Sequence, residues 1–160
     1  MTTVVVFGGS GFLGRRLVRR RAGDGLNVRV AVRHPAAARS ILKAAGLDRV
    51  MVQRADVCDP ATVAAAIAGA DAVVNAVSAY VERGGETFEA VHVCGAERVA
   101  RGAAAAGVAR LVLVSGIGAD SESRSPYIRR ILGGPLGTGL LHPAMRLGCN
   151  ANLQTPCWLY

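Results

Sequence analysis

The sequence predicts an α/β domain built on a doubly wound parallel sheet, and three observations carry that prediction. Val-rich apolar runs alternate with Ala-rich amphipathic stretches from the first residue, the pattern of helical crossovers stacking parallel strands. Apolar residues make up 51% of the chain and aromatics only 4%. The core is therefore built of Val, Ala, Leu and Ile, which suits a sheet covered on both faces. Between the first strand and the first helix, Gly8, Gly11 and Gly14 stand three apart.

In chain order, strands are expected at Thr3–Phe7, Val28–Val32, Val50–Gln53, Ala72–Val77 and Ala109–Ser115. Helices are expected near Gly11–Ala22, Pro35–Ala45, Pro60–Ala68 and Glu86–Ala106. Each junction has its punctuation. Gly23-Asp24-Gly25 stops the first helix, Asp59-Pro60 starts the third, Gly69 ends it and Gly107 closes the fourth. In the first helix Leu13, Leu17 and Val18 share one side and Arg15, Arg16, Arg19 and Arg20 the other, a solvated basic face.

The 160 residues correspond to about one domain. After Ser115 the texture changes: no acidic residue follows Glu122, and 131–160 hold one charge, Arg146, with five Gly and three Pro. The expectation is a sheet truncated after about five strands, with residues 1–130 as the folded domain and 131–160 as an irregular tail, loosely packed or disordered. An acid-free tail of this kind fits a shifted reading frame or a truncated gene.

The net charge of +8 comes with 18 of 19 basic residues being Arg, a bias that reflects coding composition as readily as binding. No aromatics interleave the basic face, so a nucleic-acid partner is not expected. Cys58, Cys94, Cys149 and Cys157 form neither a C-x-x-C pair nor a disulfide framework, and His34, His92 and His142 lack metal-ligand spacing. No zinc site or secreted scaffold follows. The chain enters a strand by Thr3 without an export signal, and the apolar window 102–119 is broken by Gly107 and Arg110. A cytoplasmic protein without a transmembrane segment is expected.

The glycine turn identifies the chemistry. Gly8 lets the chain reverse at the strand end, Gly11 leaves no Cβ in the path of a pyrophosphate, and Gly14 lets the helix lie close to the sheet. With Gly9, Ser10, Phe12 and Leu13 they form a seat whose first-turn amides lack partners within the helix and face outward at its positive end. That is the diphosphate seat of a Rossmann-type dinucleotide domain. The adenosine ribose is then read at the end of the second strand, where Arg33 stands in Val30-Ala31-Val32-Arg33-His34-Pro35. A guanidinium pairs with a 2′-phosphate, whereas an acid would bind free hydroxyls, so NADP(H) is favoured over NAD(H). Asp56-Val57 stand to contact the adenine, although an Asp before a helix serves equally as a turn or cap residue.

Gly8–Gly14, Arg33-His34-Pro35, Asp56-Val57, Val74-Asn75-Ala76-Val77 and Leu113-Val114-Ser115 in series resemble the atypical branch of the short-chain dehydrogenase/reductase superfamily. Gly85 to Val93, Gly95 to Ala100, Val114 to Asp120 and Ser125-Pro126-Tyr127 are similar to the NADPH-holding accessory subunits of respiratory complex I and their bacterial relatives. The resemblance covers about residues 1–130. It implies a pyrophosphate on Gly8, Gly11 and Gly14, a 2′-phosphate on Arg33 and adenine near Asp56 and Val57. It also implies Ala76 and Val77 along the nucleoside and Ser115 near the nicotinamide. The nucleotide would serve structure or assembly, with a membrane-associated respiratory complex as partner and a peripheral place at the inner membrane.

Active enzymes of the superfamily pair a Tyr with a Lys four residues on. Ser115 and Tyr127 match the catalytic Ser and Tyr, but four residues after Tyr127 stands Ile131, and the chain's single Lys, Lys43, lies in the second helix. A Tyr of reference pKa about 10 without such a cation is a weak base at neutral pH. The alternative is an NAD(P)H-dependent oxidoreductase, epimerase or dehydratase using Ser115 and Tyr127 by another proton route.

Overall fold

The computed structural model describes residues 1–114 and 124–125. Five strands, β1 (Thr3–Phe7), β2 (Asn27–Val32), β3 (Met51–Arg54), β4 (Ala72–Asn75) and β5 (Arg110–Leu113), form one parallel sheet in the order β3-β2-β1-β4-β5. The helices α1 (Phe12–Gly23), α2 (Pro35–Ala44), α3 (Pro60–Ile67) and α4 (Gly95–Ala105) connect them. The expected elements are present with shifted ends. The largest shift is in the fourth helix, where Glu86 lies in a preceding turn and the helical chain begins as a π-helix over Glu89–Cys94.

Alternation of side chains along each strand divides the core into two layers. Val4 and Val6 of β1 join Val28, Val30 and Val32 of β2 under Leu17 and Val18 of α1 and Ala38 and Leu42 of α2. Val5 and Phe7 point the other way, with Val73, Leu111, Val63 and Ile67 of α3 and Val99 and Ala103 of α4. Strand β1 is buried at all five positions, which is why it reads as an unbroken apolar run rather than an alternation. Each fully buried Val contributes about 1.5–3 kcal/mol relative to an exposed one, so the centre of the sheet is its most stable part.

Helix ends follow ordinary capping chemistry. The Asp59 carboxylate accepts from the Ala61 and Thr62 amides at the start of α3, with Pro60 at the first helical position. At its other end Arg29, from β2, donates to the carbonyls of Ala66 and Ala68 at 2.7 and 2.8 Å, tying helix to sheet. The basic face of α1 is partly engaged as well. Arg19 donates to the Ala45 carbonyl behind α2 at 2.8 Å, Arg20 and Arg21 pair with Asp24, and Arg16 lies over the Phe12 ring.

Candidate functional site

The chain runs from β1 outward to β2 and β3, then returns across the sheet to β4 on the other side of β1. The carboxyl ends of β1 and β4 thus diverge into different connections, leaving a crevice where open α/β sheets bind ligands. A cavity of about 600 Å³ opens there.

One wall is the glycine turn. Gly8 has φ +73, a conformation open to glycine, and a Cβ on it would stand 2.9 Å from the Ala76 carbonyl oxygen. Its N–H continues the sheet ladder to the Ala31 carbonyl, while its own carbonyl accepts from the Gly11 N–H at 2.9 Å. A Cβ on Gly14 would press to 2.7 Å from the Gly9 Cα, so the helix sits directly on the turn. One on Gly9 would strike Val30 and Val18 instead: this glycine packs toward the sheet and is absent from the cavity lining. Gly8, Ser10, Gly11, Phe12, Leu13 and Gly14 do line the cavity.

Gly11 is exposed, and a Cβ on it would meet only the Gly8 carbonyl oxygen, at 3.2 Å, with open space otherwise. The first intrahelical bond of α1 is Arg15 N–H to Gly11 carbonyl, so the amides of Phe12, Leu13 and Gly14 precede it. An open cradle of main-chain donors without an acidic residue in the first turn suits a dinucleotide's pyrophosphate.

Arg33, just past β2, also lines the cavity, where its guanidinium forms an ion pair with Glu86. The hydrogen bond that Arg33 donates to the Glu86 carboxylate is the main cause that raises the Arg33 pKa, and the same bond lowers that of Glu86. Asp56 and Val57 lie in the lining too. The Asp56 carboxylate accepts from the Cys58 N–H at 2.8 Å, so it performs the turn role left open by the sequence while still bordering the cavity. Val57 is buried and packs against Gly95 in the core layer of Val5 and Phe7. Burial, followed by the charge of Asp56, raises the Cys58 pKa.

The second wall begins at β4. Ala76 donates its N–H to the Phe7 carbonyl and Val77 donates to the Asn75 side chain at 3.1 Å; both border the cavity. Ser115 and Tyr127 lie outside the described residues. Among the lining residues that the sequence reading does not assign to the site are Asn75, Glu86 and His92. Asn75, a buried polar residue ending an apolar run, carried a visible signal. Glu86 and His92 carried none, because their places depend on how the connection after β4 folds back.

A reversing parallel sheet beside a glycine cradle, with a cavity at the switch point, defines a dinucleotide-binding Rossmann domain. The family described as NAD(P)H-binding matches residues 8–134, and the chain belongs to it. Its cofactor class is therefore the nicotinamide dinucleotides. The NADH-ubiquinone oxidoreductase 40 kDa subunit of Neurospora crassa is 30% identical over 78% of this chain and 33% of its own length. A ceramide reductase of Caulobacter vibrioides is 36% identical over 78% of this chain and 38% of its own. The chain thus spans about a third of the length of these relatives. A solved short-chain dehydrogenase/reductase superfamily protein from Agrobacterium tumefaciens, with bound NAD, superposes with a TM-score of 0.69 at 23% identity. That match covers 91% of this chain and 47% of the other. The domain is an NAD(P)-binding Rossmann domain. Among the described residues no helix is long and apolar enough to cross a membrane.

Proposed function

We propose that this chain is an NADP(H)-binding module in which the nucleotide serves structure or assembly, with residues 1–130 as the binding domain and 131–160 as a separate tail. The observation that carries this reading is the switch-point cavity with the glycine cradle on one side and the Arg33 guanidinium on another. In this reading Gly8, Ser10, Gly11, Phe12, Leu13 and Gly14 form the pyrophosphate seat, with Gly9 packed beneath it and the amides of Phe12 and Leu13 donating. Arg33 receives the 2′-phosphate through its planar fork. Asp56 and Val57 border the adenine, Ala76 and Val77 the nucleoside, and Ser115 the nicotinamide.

A bound nicotinamide dinucleotide would supply or accept a hydride. What argues for a structural role is the protein side, since Ile131 stands where active superfamily members carry Lys. The likeness to the 40 kDa subunit supports a membrane-associated respiratory complex as partner and a membrane-peripheral location. A second reading, a reductase or epimerase using Ser115 and Tyr127, is favoured by the likeness to the ceramide reductase.

The test is calorimetric titration of NADPH and NADH into wild type and Arg33→Asp. NADPH is expected to bind at least about tenfold more tightly than NADH, the worth of a charge-assisted pair, and Arg33→Asp to abolish the difference. Equal wild-type affinities would remove the NADP preference, and no binding of either would remove the module itself. Turnover of carbonyl, quinone or nucleotide-sugar substrates, lost in Tyr127→Phe, would decide for the second reading.

A further inference from the structure

The connection after β4 brings a carboxylate to the place where a cofactor phosphate would be read. Arg83 and Glu86 close a small antiparallel turn with main-chain bonds of 3.2 and 2.9 Å, through Gly84 at φ +56. From that turn the Glu86 side chain reaches across to Arg33, and both residues line the cavity. The two side chains are 44% and 48% exposed, so the pair stands at the cavity mouth, in reach of water and of solutes.

We propose that Glu86 is a built-in stand-in for the 2′-phosphate: its carboxylate occupies the Arg33 guanidinium in the nucleotide-free chain and is displaced by NADP(H), so that it tunes discrimination between the two cofactors. This rests on the reading that Arg33 receives the 2′-phosphate. A carboxylate offers the fork two acceptor oxygens and one negative charge. A phosphomonoester offers three oxygens and a charge of about −1.5 to −2 at neutral pH, so the exchange favours the phosphate. The 2′-hydroxyl of NAD(H) brings no charge and leaves the pair in place. Both anions together on one guanidinium would repel each other. Glu86 can retreat because the turn that carries it is closed by main-chain bonds alone, and an exposed ion pair is cheaply broken.

The experiment measures NADPH and NADH dissociation constants for the full chain as wild type, Glu86→Gln, Glu82→Gln and Arg33→Gln. Glu86→Gln keeps the turn and removes the competing charge. It is expected to tighten NADPH about two- to fivefold and to leave NADH unchanged. Glu82, whose carboxylate accepts from the Phe88 N–H at 2.6 Å in the same connection, is the control, and Glu82→Gln should not alter the ratio between cofactors. NADPH affinity unchanged or weakened in Glu86→Gln would overturn the stand-in. If wild type then still prefers NADPH and Arg33→Gln loses that preference, the Arg33 reading survives alone. A similar ratio change in Glu82→Gln would assign the effect to the connection as a whole and overturn the role of the charge. A wild type without preference would remove both.

Discussion

The two walls of the cavity are held by different forces. From Gly8 to Gly14 the chain is packed backbone against backbone, with a prospective Gly14 Cβ 2.7 Å from the Gly9 Cα and a Gly8 Cβ 2.9 Å from the Ala76 carbonyl oxygen. From Ala76 to His92 the chain is tied mainly by polar contacts. Glu86 pairs with Arg33, Glu82 accepts from Phe88, and the His92 Nε2 lies 3.2 Å from the Ala79 nitrogen and 3.0 Å from its oxygen. Dense packing fixes a shape whatever the solution conditions. Polar ties on exposed side chains respond to charge, salt and ligand. One wall supplies a rigid seat; the other is suited to adjust around what sits in it.

The sharpest way to break this comparison lies within the packed wall. Gly14→Val would drive two methyl groups into the turn beneath α1. It should cost about 3 kcal/mol or more, as overpacking against main chain does, and a thermal melt should fall by roughly 10 °C. Gly11→Val is the counterpart, since a Cβ there meets only the Gly8 carbonyl oxygen and otherwise points into open space. Its melt without nucleotide should stay within a few degrees of wild type, while calorimetric binding of either nicotinamide cofactor disappears. Equal melting losses in both variants would show that position 11 is packed like position 14.

Most of the packed wall was legible in the sequence because its determinants are local. Strand, glycine spacing and amphipathic helix follow one another within the first 23 residues, and the steric demands of Gly8 and Gly14 need no distant partner. Gly9 shows the limit of that reading: its place in the sequence groups it with the seat, yet its missing side chain makes room for Val30 and Val18. The polar wall is legible only at its start, Ala76 and Val77. The local pattern predicts a helix over Glu86–Ala106, but Glu86 belongs to a turn and the helix opens later as a π-helix. Nothing in the local pattern says that a carboxylate at 86 will meet a guanidinium at 33, since that pairing depends on the return of the chain from β4.

Within the polar wall, His92 sets an intermediate effect. It sits on the π-helix, faces the cavity and holds the Ala79 peptide, also contacting the Phe88 ring at 6.3 Å between centroids. His92→Phe keeps an aromatic in place and removes the hydrogen bond. About 1 kcal/mol of local stability should go with it, seen as roughly fivefold faster hydrogen exchange at Ala79, with the global melt little changed. A uniform increase in exchange across β1 and β4 would instead mean that His92 supports the core.

The smallest expected effect isolates charge from packing. Glu86 loses its proton more readily than an ordinary carboxyl of pKa 4.5, chiefly through the hydrogen bond from Arg33 and then through its charge. Because the native pKa is depressed, the unfolded chain holds more protons between the two values, and stability rises with pH through that window. The contribution is fully present above about pH 5 and disappears as pH falls through the lowered native value. Solvent screening of two half-exposed side chains keeps it below about 1 kcal/mol. Glu86→Gln should therefore melt about 1–2 °C below wild type at pH 6, and the gap should narrow as pH falls through the lowered native value or in 1 M salt. The Gly14→Val penalty should show no such dependence. A Glu86→Gln deficit that persisted at low pH and high salt would mean the second wall is packed after all, and the distinction between the two walls would fail at its weakest tie.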